Sequence, residues 1–282
     1  MPRTALQLNV CLCLAAVGCS PEEVQQPPLA RELAGNITVS READLAGLRH
    51  VARIDGSLIV RRSTLERLEL PDLLQVTGDL RIQKNPKLGI ADLGSLLAVG
   101  GKDSAGQFVV ENNGALVELG VGSLAAAAGG VLVRANPRLS RIDLRALESA
   151  SGQGIEIASA DGVLDLSLGR LESVSRLLVE SCHRLARLDL GALAEADAVW
   201  ILANPSLREI VVPAAAIATG DGGPPRRPGG KDRLIRVFGN SALPNCEALR
   251  LRNRLSERGF GGTAELCDNK PDTCPPEGCP KR

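Results

Sequence analysis

Residues 198–212 read Ala-Val-Trp-Ile-Leu-Ala-Asn-Pro-Ser-Leu-Arg-Glu-Ile-Val-Val, and this stretch is one unit of a repeat. Taking Ile201 as an anchor, an apolar residue lies two before it (Val199), Asn204 lies three after it, and Leu207, Ile210 and Val212 follow at plus six, nine and eleven. From Val179 the same offsets give Leu177, Cys182, Leu185, Leu188 and Leu190; from Val133 they give Val131, Asn136, Leu139, Ile142 and Leu144. Val110 and Ile82 head further copies, with Asn113 and Asn85 at the polar position. Ile157 heads a degenerate copy with Ala160 there, Val237 a truncated one with Asn240, and Val60 and Val39 head the first two. The anchors are 21 to 28 residues apart, except for a last step of 36. Self-similarity at this period means a solenoid, in which each turn buries its apolar side only against its neighbours.

Composition fits that reading. Aromatic residues make up 1% of the 282 positions, with one Trp and no Tyr, so the core has to be aliphatic, as suits a narrow coil of stacked Leu, Val and Ile. Lys plus Arg equals Asp plus Glu at 33 each, so no net field favours nucleic acid, and nucleic-acid binding is not expected. The uninterrupted repeat argues for one domain over residues 34–245.

Each unit opens with a short strand such as Leu58-Ile59-Val60 or Val131-Leu132-Val133, whose first and third side chains point inward. A corner follows, often Asn-Pro as at Asn85, Asn136 and Asn204, where the Pro holds the preceding residue extended. A side-chain amide at the same corner of every turn can donate and accept along the stack, satisfying backbone groups that a buried corner leaves unpaired. Asn85, Asn113, Asn136, Asn204 and Asn240 are therefore read as a structural ladder. Cys182 occupies one of its positions and is expected to be a buried, reduced thiol. Two insertions interrupt the period, Gly100 to Gly106 and Gly220 to Asp232; both are Gly-rich and have to leave the coil as loops.

The ends are different. Residues 1–19 carry one cation, Arg3, then an apolar run ending Ala16-Val17-Gly18-Cys19, with the layout of a secretory signal and too short to span a bilayer as a mature helix. The small residues before Cys19 resemble the lipobox of bacterial lipoproteins, although Ala16 stands where Leu is usual. That resemblance implies acylation of Cys19, a membrane anchor and a bacterial envelope location; without it the chain is secreted. Ser20 after the Cys is compatible with transport to an outer membrane. Residues 20–33, polar and Pro-containing, read as a tether. After Leu243, Asn245 can cap a helix from Cys246 to Arg258 that covers the last turn, with Gly259 as its stop.

In an exported protein Cys246, Cys267, Cys274 and Cys279 are read as two disulfides, three connectivities being possible. The expected pairing is Cys246 with Cys267 and Cys274 with Cys279. Zinc is disfavoured because no Cys-x-x-Cys and no nearby His are present. No metal or cofactor is expected. Only His50 and His183 are available for acid-base work, and no Gly-rich loop ends in Lys-Ser/Thr, so catalysis is not expected.

The strand, Asn corner and Leu-x-x-Leu-x-Leu pattern resembles the receptor L domain, the leucine-rich, right-handed β-helix of insulin-receptor and epidermal-growth-factor-receptor ectodomains. Bacterial lipoproteins with such repeats exist and this chain looks like one. The expected fold is accordingly mainly β, a right-handed parallel β-helix or leucine-rich solenoid of about eight to nine rungs with a C-terminal capping helix. The cysteine-rich modules, transmembrane helix and kinase of those receptors are absent, so receptor signalling does not carry over.

The outward column between the two core positions runs Ile59, Arg81, Val109, Leu132, Glu156, Leu178, Trp200, Arg236, and much of it is apolar. Leu178, Trp200 and Leu202 are the candidate binding patch, for a protein or a glycan. The next column (Arg61, Gln83, Glu111, Arg134, Glu180) is read as charges pairing between turns. The expected function is a monomeric, envelope-displayed binding or structural module. A β-helix carbohydrate-active enzyme, a lyase or hydrolase, is the alternative, and a cluster of acids on one outward face would favour it.

Overall fold

Branched triplets at the head of each repeat make the first face of a coil. The computed structural model describes residues 31–101, 104–212 and 234–279. Strands Ile37–Val39, Leu58–Arg61, Leu80–Gln83, Phe108–Glu111, Val131–Arg134, Ile155–Ala158, Ser173–Glu180, Glu195–Leu202 and Leu234–Phe238 pair in that order, all parallel. The anchors stack directly, Ile82 on Val110, Val133, Ile157, Val179, Ile201 and Val237 in turn. Val and Ile suit this face because a branched side chain packs well on a pleated, half-buried surface. The chain is mainly β, a parallel solenoid of right-handed type with about eight turns and a C-terminal helix.

Two further faces complete each turn. The apolar triplets make the second, from Arg67–Glu69 through Ile90–Asp92 and Glu118–Gly120 to Arg141–Asp143, and then from Asp165–Ser167 through Arg187–Asp189 to Glu209–Val211. Between Arg141–Asp143 and Asp165–Ser167 this sheet is interrupted. Its corner shows the same gap: Val117 N–H donates to the Gly89 carbonyl, Ser140 to Val117, Ala186 to Leu164 and Arg208 to Ala186 at 2.7–3.0 Å, with no counterpart between Leu164 and Ser140. The third face runs from Arg31–Ala34 through Val51–Asp55, Gln75–Val76 and Ala98–Val99 to Ala126–Ala127 and Ser149–Ala150. Leu, Val and Ile from all three faces fill the interior, most of them 0–1% exposed.

From the turn headed by Val60 onward, each turn leaves the first face through one left-handed residue placed directly before the ladder position; on the first turn Arg41 is extended instead, with φ −144°. Arg62, Lys84, Asn112, Ala135, Ser159, Ser181 and Ala203 have φ between 51° and 58°, Asp268 has 54° and Gly239 has 72°. For a side-chain-bearing residue this conformation costs about 1–2 kcal/mol, and it persists because the residue's N–H is held by the next turn, as Lys84 by the Glu111 carbonyl and Ser159, at the ladder gap, by the Glu180 carbonyl.

Several expectations need correction. The coil already includes Arg31, ahead of residue 34, because Arg31–Ala34 pairs with Val51–Asp55. It also continues past residue 245: Thr263–Cys267 pairs with Leu234–Phe238 as another turn, with Leu266 against Val237. The helix spans Asn245–Glu257, and its N-cap is Pro244 rather than Asn245. Asn245 N–H instead reaches the Lys270 carbonyl, and the carboxylate of Asp272 accepts the Cys246 N–H at 3.0 Å, so the capping group comes from the tail.

The disulfide pairing is also corrected: Cys246 bonds Cys274 and Cys267 bonds Cys279. The extra strand is the reason. It places Cys267 at the end of a turn, where the returning tail crosses in an antiparallel bridge between Leu266 and Glu277 and delivers Cys279, while Asp272 holds the other arm beside the helix start. Of the first insertion, Gly101 and Ser104 form an antiparallel bridge and Gly106 returns to the coil, buried where a Cβ would lie 2.1 Å from the Gly78 carbonyl oxygen. Cys19, the 1–19 segment, residues 20–30 and the insertion Gly220 to Asp232 lie outside the described residues.

Candidate functional site

The ladder is a continuous hydrogen-bonded column on either side of one gap. Asn113 Nδ2 donates to the Ile82 carbonyl at 2.9 Å, and its Oδ1 accepts both the backbone N–H (3.1 Å) and the Nδ2 (2.9 Å) of Asn85. Asn136 does the same for Asn113, reaching the Val110 carbonyl. Asn85 accepts the N–H of Ser63, which ends the column. Past the gap, Asn204 accepts the Cys182 N–H, Asn240 those of Asn204, and Asn269 those of Asn240. Ser63 and Asn269 were missed in the sequence. Asn269 stands three after Leu266, the same offset as the others, but 29 residues and a helix separate it from Asn240. All five expected Asn residues are 0% exposed and fully engaged with backbone, which makes them structural.

Cys182 is 1% exposed and carries no disulfide. Burial pushes its thiol up from 9.0 to about 11, partly opposed by the Ala160 N–H and reinforced by the carboxylates of Asp161 and Glu180. A nucleophilic Cys needs the opposite shift. Both histidines are exposed and each pairs with an Asp on the adjoining turn, His50 with Asp72 at 3.0 Å and His183 with Asp161 at 2.6 Å. Among the described residues no hydroxyl or thiol is hydrogen-bonded to the other ring nitrogen of either. Cys246, Asp272 and Cys274 converge closely enough to suggest a metal, but the two sulfurs are bonded to each other and supply no thiolate.

On the first face, Leu178 and Trp200 are register neighbours, Glu180 faces Leu202, and Leu202 faces Phe238 on the following strand. Leu178, Trp200 and Leu202 are half-buried rather than fully exposed. Phe238, 38% exposed, extends the patch and was not singled out from sequence. The guanidinium of Arg176 lies 5.7 Å from the Trp200 ring centroid, within cation–π range. Arg176 Nε and Trp200 Nε1 are both enclosed and have no acceptor. An enclosed donor without a partner is costly, by about 1–3 kcal/mol, and both atoms are closed to solvent, so this cost is borne by the fold.

The second face holds a hollow of about 460 Å³ that gathers Asp92, Glu118 and Asp143 with Arg67 and Arg145. The outward columns of the first face gave no sign of it. Glu118 is tied to Arg141 at 3.1 Å and Asp143 to Arg145 at 2.5 Å, while Asp92 accepts the Gly94 N–H at 3.0 Å. Gly120 and Gly122 floor the hollow, where a Cβ would come within 3.2 Å of Asp92 and 2.7 Å of Asp143.

The geometry defines a parallel β-solenoid with two distinct surface features, a partly apolar sheet face and a charged hollow. No family model, no curated protein and no solved structure matches the chain.

Proposed function

We propose that this protein is a non-catalytic binding module displayed on a bacterial envelope, anchored through acylated Cys19, that recognises a protein or glycan on its first face. The observation that carries the reading is the partly exposed apolar patch of Leu178, Trp200, Leu202 and Phe238, bordered by Arg176 over the Trp200 ring. A partner's apolar surface would cover the patch, with the aromatic rings as anchors, the arrangement that gives interface hot spots their strength.

Because Trp200 is the only Trp and the chain has no Tyr, its emission reports this patch alone. Titrating purified protein with washed envelope fractions should shift that emission, and Trp200→Ala together with Phe238→Ala should abolish sedimentation with them. Equal sedimentation of a folded double variant would remove the patch from consideration. Intact mass of membrane-extracted protein against Cys19→Ala tests the anchor separately; the wild type should begin at Cys19 with added acyl mass.

A second reading, a β-helix carbohydrate-active enzyme, draws support from Asp92, Glu118 and Asp143 in the hollow, since paired carboxylates are the usual equipment for glycoside cleavage. New reducing ends or unsaturated products from a polysaccharide panel, lost on Asp143→Asn, would favour it over the binding module.

A further inference from the structure

We propose that the corner joining the first and second faces binds a linear anionic glycan carrying one acidic group per disaccharide. This goes beyond the first-face reading and does not depend on Trp200. Five residues after their anchors stand Lys87, Arg138 and Arg184, on the turns headed by Ile82, Val133 and Val179. These are alternate turns of the coil. All three cations are exposed, and none has an ion pair or hydrogen bond among the described residues. The two intervening turns carry the small residues Ala115 and Gly162 at that offset. Val117 and Leu164, 40% and 47% exposed, stand two residues further along on those turns, in the column of Gly89, Ser140 and Ala186, so an apolar side chain flanks the row on each intervening turn.

Apart from Arg61, the exposed cations on the adjoining strands are matched. Arg81 pairs with Asp79 at 2.8 Å, Arg134 with Glu111 at 2.8 Å, Arg141 with Glu118 at 3.1 Å and Arg187 with Glu209 at 3.6 Å. Along the corner the balance changes. Arg62 and Lys84, two after their anchors, and Arg208, seven after Ile201, are further exposed cations beside the row. The exposed acids there are Glu66 and Asp165, while Asp161 is occupied by His183. Equal totals of acid and base in the whole chain thus conceal a segregated row of positive charge.

The spacing selects the ligand. Turns of a parallel coil lie ~4.8 Å apart, so Lys87, Arg138 and Arg184 repeat every ~10 Å, about the length of one disaccharide in an extended glycan. Val117 and Leu164 flank the row on the intervening turns, where the C–H faces of sugar rings can lie on them. Duplex DNA, with a charge per ~1.7 Å of axis, is far denser than this row. No aromatic side chain is available on the corner for the stacking that single strands require.

Calorimetric titration of the full protein with hyaluronan oligosaccharides, one carboxylate per disaccharide, tests the proposal. A hexasaccharide should bind at low salt and weaken as salt rises, while a disaccharide and neutral dextran should not bind measurably. Lys87→Glu/Arg138→Glu/Arg184→Glu should lower the affinity at least about tenfold, and Arg138→Glu alone by less. Leu164→Ser should weaken binding without altering the salt slope, and Arg250→Glu on the helix should change nothing. The proposal is overturned if the hexasaccharide does not bind at low salt, or if the triple variant, folded by circular dichroism, binds equally. Duplex DNA or phosphatidylglycerol vesicles bound as tightly through the same residues would also overturn it.

Discussion

Asn113→Ala isolates what the ladder contributes. In the native coil Asn113 Oδ1 accepts the Asn85 N–H at 3.1 Å, and Nδ2 donates to the Ile82 carbonyl at 2.9 Å, both in a corner with no solvent exposure. Truncation strands those two backbone groups. Asn85 Nδ2 keeps the Val60 carbonyl, and Asn136 Oδ1 keeps the Asn113 N–H, so the damage is confined to one interface between turns. At about 1–3 kcal/mol for each orphaned buried group, the loss is about 2–6 kcal/mol, against a typical domain stability of about 5–15 kcal/mol. Urea unfolding followed by both Trp200 emission and far-ultraviolet circular dichroism measures it. Hydrogen exchange at the Asn85 amide locates it, and that amide should lose protection before those beyond Asn204. A loss under about 0.5 kcal/mol with an unchanged urea slope and a protected Asn85 amide would refute the ladder as a source of stability.

Three further outcomes are expected. Ala160→Asn with Cys182→Asn should close the gap, giving the Asn136 N–H and the Val133 and Ile157 carbonyls the partners their counterparts have, and raise stability by about 1–3 kcal/mol in the same urea assay. Burial raises the Cys182 thiol to about 11 in the folded state, so the unfolded chain ionises first; stability should be full below pH 9 and fall between pH 9 and 11, by about 1.4 kcal/mol per pH unit at most, with Cys182→Ala removing that component. Gly154→Ala should cost about 3 kcal/mol or more in thermal unfolding, because its φ is +78° and a Cβ would sit 2.0 Å from the Arg176 carbonyl oxygen.

The coil was legible because its determinants repeat at one offset. A Val or Ile anchor, an Asn three on and three Leu beyond are local facts, and stacking is what any such run must do to bury its apolar side. Asn269 escaped because a helix and a 29-residue step hide its offset from Asn240. The left-handed corner residues escaped for another reason: Lys84, Asn112, Ala135 and Ser181 share no chemistry, and what they have in common is a backbone N–H held by a carbonyl of the next turn, a contact that exists only once the coil has stacked. Disulfide pairing is a property of where strands end in space, and Thr263–Cys267 had not been recognised as a strand. Leu178, Trp200 and Leu202 were found by alternation, but alternation cannot tell that Arg176 lies over the Trp200 ring or that two donors there lack acceptors.

One detail bears on how the two halves of the coil are joined. Where Ala160 interrupts the ladder, the second face is also parted between Arg141–Asp143 and Asp165–Ser167, yet Val131–Arg134 remains bonded to Ile155–Ala158 on the first face. Only one of the three faces is parted there, because Ser149–Ala150 also stays paired with Ser173–Val174 on the third. The two halves of the coil are therefore joined at this level along two faces and open along one edge. Arg138 and Arg184 stand on either side of that open edge, so a ligand that grips both would stitch the one seam the backbone leaves unsewn.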